Sequence, residues 1–470
     1  MESTQEMTVQ KGAEIELSVD SVSFGGQGIA RVNDFVVFVN GAITGDHVLA
    51  KIIKKKKSFA EAVAINIIKP SIDRTNPECE LFGTCGGCRW QDVVYGAQLE
   101  FKRQNVQEVF ERIGGFTDIQ IPKPIGSKEI YRYRNKMEFT FGDRPWLTAN
   151  ALFDADRRSD PFALGLHVPQ RFDKVLPVRH CHLQSTLAND ILNFVGDFTR
   201  HSGLPPYSVK DHSGFWRFLV IRESKRTSDL MINLITSEER PEVMTPFRDQ
   251  IISKFPQITS LINGISSKKA QVAFSDYEVL LHGSPFIIEK LGDFEFEISS
   301  NAFFQTNTLA AETLYQIALE FAELKGHELV YDLYCGTGSI GIFISKFAQK
   351  VIGIELIEAS VENARKNVKH NRISNCEFLL GDLRKTIRQL HQTPDVVIVD
   401  PPRSGMHEDV IDTLLELAPP VIVYVSCNPS TQARDLALLC QAHYRIDKVQ
   451  PVDMFPHTYH IENVVRLVQS

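Results

Sequence analysis

The sequence predicts a three-part chain whose last part is an α/β domain, a parallel sheet with helices on both faces. Three observations lead there. From about Asn301 onward, short apolar β-prone runs alternate with helical stretches, the rhythm of strand–helix–strand units. Residues 71–295 mix one long amphipathic helix with separate strand-like runs, and the first 70 residues hold only short β-prone segments broken by turn signals. At 470 residues the chain is long enough to bury several cores.

Taken in order, residues 1–70 carry GGQG, ND, NG and GD turns between β-branched runs. A module of such short strands hides its edges by closing into an OB-like β-barrel. Lys54 to Lys57 fall in one of its turns, where they are either a solvated loop or a contact for RNA backbone. Residues 71–295 read as an α+β domain, with a helix from Val93 to Ile113 and strands in KMEFTFG, FALGLHV, RFLVIRE and LMINLIT. Its YRYRNKMEF stretch (Tyr131 to Phe139) interleaves aromatic rings with Arg132, Arg134 and Lys136, a composition suited to stacking bases and meeting phosphates, and equally to packing. Residues 296–470 form the α/β domain: LVYDLYC, VIGIEL, CEFLLGD, DVVIVDPP and VIVYVSCNP are strands, and a helix is expected from Glu358 to His370.

Composition narrows the setting. Formal net charge is −7, which argues against nucleic-acid binding by the whole surface and leaves room for a local basic patch. No run approaches the ~20 apolar residues of a membrane span, and the N-terminus lacks a basic segment leading into an apolar one. A cytoplasmic chain is expected, with no obligate protein partner evident and a monomer as the working form. Eight cysteines are too few for a disulfide scaffold, and three crowd together, which favours metal chemistry.

Function in a parallel sheet belongs at the carboxyl ends of the strands. The first strand ends in DLYCGTGSIG, where Gly336 and Gly338 permit a tight turn and close approach of a ligand to a helix N-terminus. Glu355 closes the second strand, 17 residues beyond Gly338, placed to accept two ribose hydroxyls. Asp382 follows the third strand, where a carboxylate would receive an adenine amino group. Gly336, Gly338 and Gly341 also satisfy G-x-G-x-x-G, so NAD competes as the ligand. Asp400-Pro401-Pro402-Arg403 after the fourth strand tips the balance: the combination resembles Rossmann-like (class I) methyltransferases that use S-adenosylmethionine.

The fifth strand ends at Cys427. Carbon 5 of uracil is a poor nucleophile until a thiolate adds at carbon 6, and a base must later take the carbon 5 proton. Cys427 is placed for the first role, and Glu462 in HIENVVRL is a candidate for the second. Each alone would more often be structural. Together SCNP, DPPR, DLYCGTGS, NAFFQTN (Asn301 to Asn307) and HIENVVRL stand in the order seen in the RNA 5-methyluridine methyltransferases, and the chain resembles that family over nearly its whole length, including an N-terminal TRAM-type barrel. The resemblance implies Cys427 as nucleophile and Glu462 as proton-abstracting base. It implies Gln305, Tyr334, Glu355, Asp382 and Asp400 around the methyl donor, beside Gly336 and Gly338, with Phe303 against the target uracil. It also suggests that the helix at about 93–120 packs on the catalytic domain.

Cys79, Cys85 and Cys88 make a C-x5-C-x2-C pattern in a glycine-rich loop, a metal or cluster site whose fourth ligand must come from elsewhere; Cys181 is the candidate. Four thiolates suit zinc, and His180 or His182 could substitute for one. The resemblance implies a [4Fe–4S] cluster on Cys79, Cys85, Cys88 and Cys181 instead. Members with both barrel and cluster commonly act on ribosomal RNA, so 23S ribosomal RNA is the expected substrate, with tRNA the alternative. A methyltransferase acting on a base amine or a small molecule, and a non-catalytic RNA-binding factor with the same fold, are the other readings.

Overall fold

The computed structural model describes residues 9–147, 161–169, 171–390 and 392–470. Strands β1 (Glu14–Val22), β2 (Gly28–Val32), β3 (Phe35–Asn40), β4 (His47–Lys55) and β5 (Phe59–Lys69) close into a barrel in the order β1-β2-β3-β5-β4. Alternation does the work: Ile15, Leu17 and Val19 of β1 point inward between exposed residues and meet Val37, Val48 and Ala60 in one core. The lysine run ends β4 and turns into β5.

Helix α1 (Tyr95–Arg112) follows. The middle of the chain is a seven-stranded sheet of β6 (Lys136–Gly142), β7 (Ala163–Val168), β8 (Arg171–Pro177), β9 (Trp216–Glu223), β10 (Leu230–Thr236), β11 (Ser260–Ile265) and β12 (Tyr277–Gly283). Its order is β12-β11-β10-β9-β6-β7-β8. Helices α2 (Thr186–His201) and α3 (Pro241–Lys254) bury Ile191, Val195, Phe247 and Ile251 against Phe139, Leu219 and Ile232 of that sheet.

The hairpin β13 (Phe286–Leu291) and β14 (Phe294–Ser299) straddles the domain break expected at 295/296, and its Ile287, Leu291, Phe296 and Ile298 share a core with α4 (Thr308–Ala322) and the last sheet. That sheet holds β15 (Leu329–Leu333), β16 (Lys350–Glu355), β17 (Cys376–Leu380), β18 (Val396–Val399), β19 (Val421–Ser426), β20 (Tyr444–Val452) and β21 (Glu462–Gln469), in the order β17-β16-β15-β18-β19-β21-β20. Helices α5 (Ser339–Ile344), α6 (Glu358–His370), α7 (Leu383–Gln389), α8 (Glu408–Leu417) and α9 (Pro429–Ala442) connect the strands. Successive residues of β18 alternate between two cores, Val396 and Ile398 to one face, Val397 and Val399 to the other, so both faces are covered.

The sheet departs from the expected all-parallel pattern at its end. β21 runs antiparallel to both β19 and β20. Only residues 453–461 join β20 to β21, too short a link for the dozen or more residues a parallel crossover needs. The first helix also travels: Val106 and Phe110 of α1 are buried with Tyr331, Leu436 and Leu439, covering the α9 face of the last sheet.

Candidate active site

Strand order reverses between β15 and β18, which opens a crevice at the carboxyl ends of the strands. Gly336 (φ +55°) and Gly338 (φ +75°) both adopt left-handed backbone in the turn after β15. At Gly338 a Cβ would lie 2.5 Å from the Phe378 ring, so strand β17 reads the absence of a side chain there. Tyr334, also left-handed at φ +60°, sits in the same turn. A carboxylate oxygen of Asp332 accepts the Gly341 N–H at 2.9 Å. Burial still pushes this carboxyl up to about 8, with Asp400 and Glu355 pushing the same way.

Glu355 ends β16 and accepts the N–H groups of Gly336 (3.1 Å), Leu356 (2.8 Å) and Ile357 (2.9 Å), tying strand two to the glycine turn. Asp382 caps α7, accepting the Arg384 N–H at 3.1 Å. The Arg384 guanidinium also grips Asp382 at 2.9 and 3.0 Å and holds its carboxyl down to about 2. Glu355 is thus tied to the glycine turn, and Asp382 follows the neighbouring strand β17.

The neighbouring strand ends bring together the other residues. Ser426 of β19 pairs with Asn463 of β21, so in the next step of this antiparallel register Cys427 stands opposite Glu462. Asp400 leaves the adjoining β18. Glu462 is 5% exposed, and its carboxyl is raised well above the usual range by burial and then by Asp400, opposed by Arg403. Asp400 is pushed up to about 7 by burial. Cys427 is half-buried, and burial, with Glu462 and Asp400 adding to it, pushes its thiol up to about 11 against Arg403. Arg403 is thus the cation of this group, a role the DPPR sequence displayed without assigning. The main-chain oxygen of Arg403 accepts from Asn428 Nδ2 (2.8 Å) and Thr431 Oγ1 (3.2 Å), which ties the DPPR turn to the start of α9.

Above this group, Phe303 leaves 66% of its surface exposed, and Thr337 Oγ1 of the glycine turn reaches the Phe303 carbonyl at 3.5 Å. The Gln305 carbonyl accepts Asn135 Nδ2 at 2.8 Å, and Asn135 Nδ2 also reaches Thr308 Oγ1 at 2.8 Å, which fixes the entry to α4. The crevice is thereby capped by a loop anchored in the central domain.

Cys79, Cys85, Cys88 and Cys181 line one cavity of about 390 Å³, together with Arg134, Lys136, His180 and His182. Gln91 clasps the loop, accepting the Cys79 N–H at 2.8 Å and donating toward Cys88 Sγ at 3.6 Å; Asn189 accepts the Cys181 N–H at 2.8 Å. Burial first, then Cys181 and Cys85, push the Cys88 thiol up to about 12. Cys181 is likewise pushed up to about 11 by burial. The sequence thus brought the four cysteines to one place. Among the described residues, however, no group of three or more His, Cys, Asp or Glu is arranged to hold a metal ion, so the expectation of bound zinc or a cluster is not met by the geometry itself.

The YRYRNK stretch serves packing more than an open RNA platform. Tyr133 is buried with its hydroxyl donating to the Pro456 carbonyl at 3.2 Å, Tyr131 stacks on His457 at 4.5 Å, and Arg134 and Lys136 face the cysteine cavity.

Comparison with known proteins accords with this layout. The profile of the family described as tRNA (Uracil-5-)-methyltransferase matches residues 286–470, starting at the β13–β14 hairpin, and the TRAM domain profile matches residues 8–65. An uncharacterized RNA methyltransferase of Porphyromonas gingivalis is 41% identical over 97% of this chain and 100% of its own length. Another, from Bacteroides thetaiotaomicron, is 42% identical over 94% of this chain and 98% of its own. Among solved structures, the Pyrococcus abyssi tRNA (uracil-54, C5)-methyltransferase in complex with S-adenosyl-L-homocysteine superposes with a TM-score of 0.76 at 28% identity, covering 97% of this chain and 100% of that one. A TRAM barrel in front, a class I methyltransferase sheet behind and relatives matching from end to end place the chain in the RNA uracil-5-methyltransferase family, enzymes that depend on S-adenosylmethionine.

Proposed function

We propose that this enzyme methylates carbon 5 of one specific uridine in 23S ribosomal RNA through a covalent bond between Cys427 and carbon 6 of the ring. One observation carries the reading: the β19–β21 register ends with Ser426 opposite Asn463, one residue short of Cys427 and of Glu462, and the Cys427 thiol feels the charges of Glu462 and of Asp400, which follows the adjoining β18. The Cys427 sulfur gives up its proton to solvent as its bond to carbon 6 forms, and the electrons of the ring double bond move to carbon 5. Carbon 5 then attacks the methyl group of S-adenosylmethionine: the new carbon–carbon bond forms as the sulfonium–methyl bond breaks, and its electrons stay on the donor sulfur. Glu462, acting in its carboxylate form, takes the carbon 5 proton, the ring double bond returns, and the bond to Cys427 breaks to release the thiolate.

In this reading Gly336 and Gly338 let backbone approach the donor, Glu355 accepts its ribose hydroxyls and Asp382 its adenine amino group, while Gln305, Tyr334 and Asp400 enclose the methyl end. Phe303, exposed at the mouth, stacks on the target uracil, which must leave its own stack to reach Cys427.

The four cysteines would hold a [4Fe–4S] cluster. Cluster ligands bind different irons, so they must surround a volume and need not converge on a point, and four thiols around one cavity with Arg134 and Lys136 fit that donor set. Such a cluster would pin the 79–88 loop to Cys181 and supply no redox step to the methylation. Iron and acid-labile sulfide in equal amounts, about four per chain, would bear this out; zinc at one per chain would assign the site differently.

A second reading has specific support. The structural neighbour that spans the barrel as well as the catalytic sheet acts on tRNA, so a barrel does not by itself separate ribosomal from tRNA enzymes. Tritium release from RNA labelled at carbon 5 of uridine, run on ribosomal and tRNA transcripts with S-adenosylmethionine, decides between them. Release by wild type and none by Cys427→Ala is the expected result, and Glu462→Gln should slow release and build up a protein–RNA adduct. Unimpaired release by Cys427→Ala would end the covalent reading.

A further inference from the structure

Residues 453–461 link β20 to β21 and end at Glu462. Among the described residues, none hydrogen-bonds the Glu462 carboxyl, so its place depends on the backbone that delivers it. That backbone is held from far away in the chain. Lys102 Nζ donates to Asp453 Oδ1 at 2.6 Å and to the Phe455 carbonyl at 3.1 Å, and both Lys102 and Asp453 side chains are fully buried. Tyr95 donates to the second Asp453 oxygen at 2.9 Å. Gln98 accepts the His457 N–H at 2.8 Å, while Arg89 and Trp90 donate their backbone N–H groups to the His457 carbonyl at 2.7 and 3.0 Å. The Tyr131 ring lies stacked on the His457 imidazole at 4.5 Å.

His457 itself adopts left-handed backbone at φ +65°, a conformation uncommon among non-glycine residues. A loop that merely joined two strands would not need so many fastenings, one of them a buried ion pair with a large desolvation cost. The fastenings also come from one place: Arg89 and Trp90 directly follow Cys88, and Tyr131 lies edge-on to His182, the neighbour of Cys181.

We propose that Lys102 and Tyr131, with the main chain at Arg89 and Trp90, are positioning residues that set where the Glu462 carboxyl stands relative to Cys427. They act on the second half of the reaction, when the carbon 5 proton is removed and the bond to Cys427 breaks. The inference rests on the roles proposed above for Cys427 and Glu462.

The test is single-turnover reaction of wild type, Tyr131→Leu, Tyr131→Phe, Lys102→Met and Glu462→Gln with RNA labelled at carbon 5 of uridine. Covalent protein–RNA adduct is followed on denaturing gels beside tritium release. Tyr131→Leu and Lys102→Met should form adduct at the wild-type rate yet release tritium about 10- to 100-fold more slowly, the size of loss that misplacing a reacting group by about 1 Å brings. Tyr131→Phe keeps the ring and should behave as wild type. If adduct formation and release fall together, so that the adduct fraction stays at the wild-type level, these residues only support folding and the proposal is overturned. Should Lys102→Met fail to fold, Tyr131→Leu at its half-buried site decides alone. If Glu462→Gln forms no adduct, the base assignment falls and the brace with it, an outcome distinct from brace variants that match wild type.

Discussion

The half-buried thiol of Cys427 faces two carboxyl groups, Glu462 and Asp400, and one cation, Arg403. Burial dominates and pushes the thiol up to about 11. A nucleophile so masked is protected from stray electrophiles and oxidants, which attack the thiolate. The sign follows directly: below that value each unit of pH raises the thiolate fraction about tenfold. Iodoacetamide labelling of Cys427, followed by peptide mass spectrometry, should therefore accelerate about tenfold per pH unit from pH 7 to about pH 10. A rate that levels off near pH 9 would mean a thiol of ordinary pKa, and one already flat above pH 7 a lowered pKa. S-adenosylmethionine carries a positive charge and should move this rise to lower pH, whereas uncharged-sulfur S-adenosylhomocysteine should not.

At the scale of elements, what the sequence disclosed follows from how local the cause is. Helix α6 was expected from Glu358 to His370 and spans those residues, because its periodicity and the strand before it lie in one short stretch. Cys427 and Glu462 were legible as strand-end residues for the same reason. Their partnership depends on β21 running antiparallel beside β19, a pairing no short window contains. Tyr133 looked available for RNA because alternating aromatic and basic residues suit stacking and packing alike; the Pro456 carbonyl that claims its hydroxyl is 323 residues away. The Arg403 contacts were hidden likewise, although the residue itself was in view. The glycine turn gives a test at this scale. Gly338→Ala would force a Cβ toward Phe378 at a left-handed φ, and should cost about 1–3 kcal/mol in stability together with a marked loss of S-adenosylmethionine affinity. Denaturant melts and calorimetric titration measure both; an unchanged affinity would show that the turn does not approach the donor.

For the molecule as a whole, an acidic chain that binds RNA must do so through a local surface. The end of the β4–β5 hairpin is one such surface: Lys54 is engaged by Glu61 at 2.7 Å, while Lys55, Lys56 and Lys57 crown the turn. Replacing those three by Gln should weaken RNA binding and flatten its dependence on salt, by about 2 in the slope of log K against log salt if each meets a phosphate. Filter binding across a salt series reads it, and an unaltered slope would leave the run a solvated loop. Meanwhile the cores do not respect chain order. Barrel residues Val22 and Ile43 pack with Trp90 and Phe101, and α1 covers the catalytic sheet, so the described parts are interlocked by burial.

That interlocking has a cost during synthesis. Lys102 meets Asp453 across 351 residues. At roughly 5–20 residues per second, the ribosome spends on the order of tens of seconds between making the lysine and making its partner. Through most of that interval the apolar face of α1, with Val106 and Phe110, lacks Leu436 and Leu439 of α9, which complete its core. The newborn chain must keep this helix from sticking to its neighbours until residues 429–442 emerge. A chain released before α9 has emerged leaves this face of α1 without the helix it packs against.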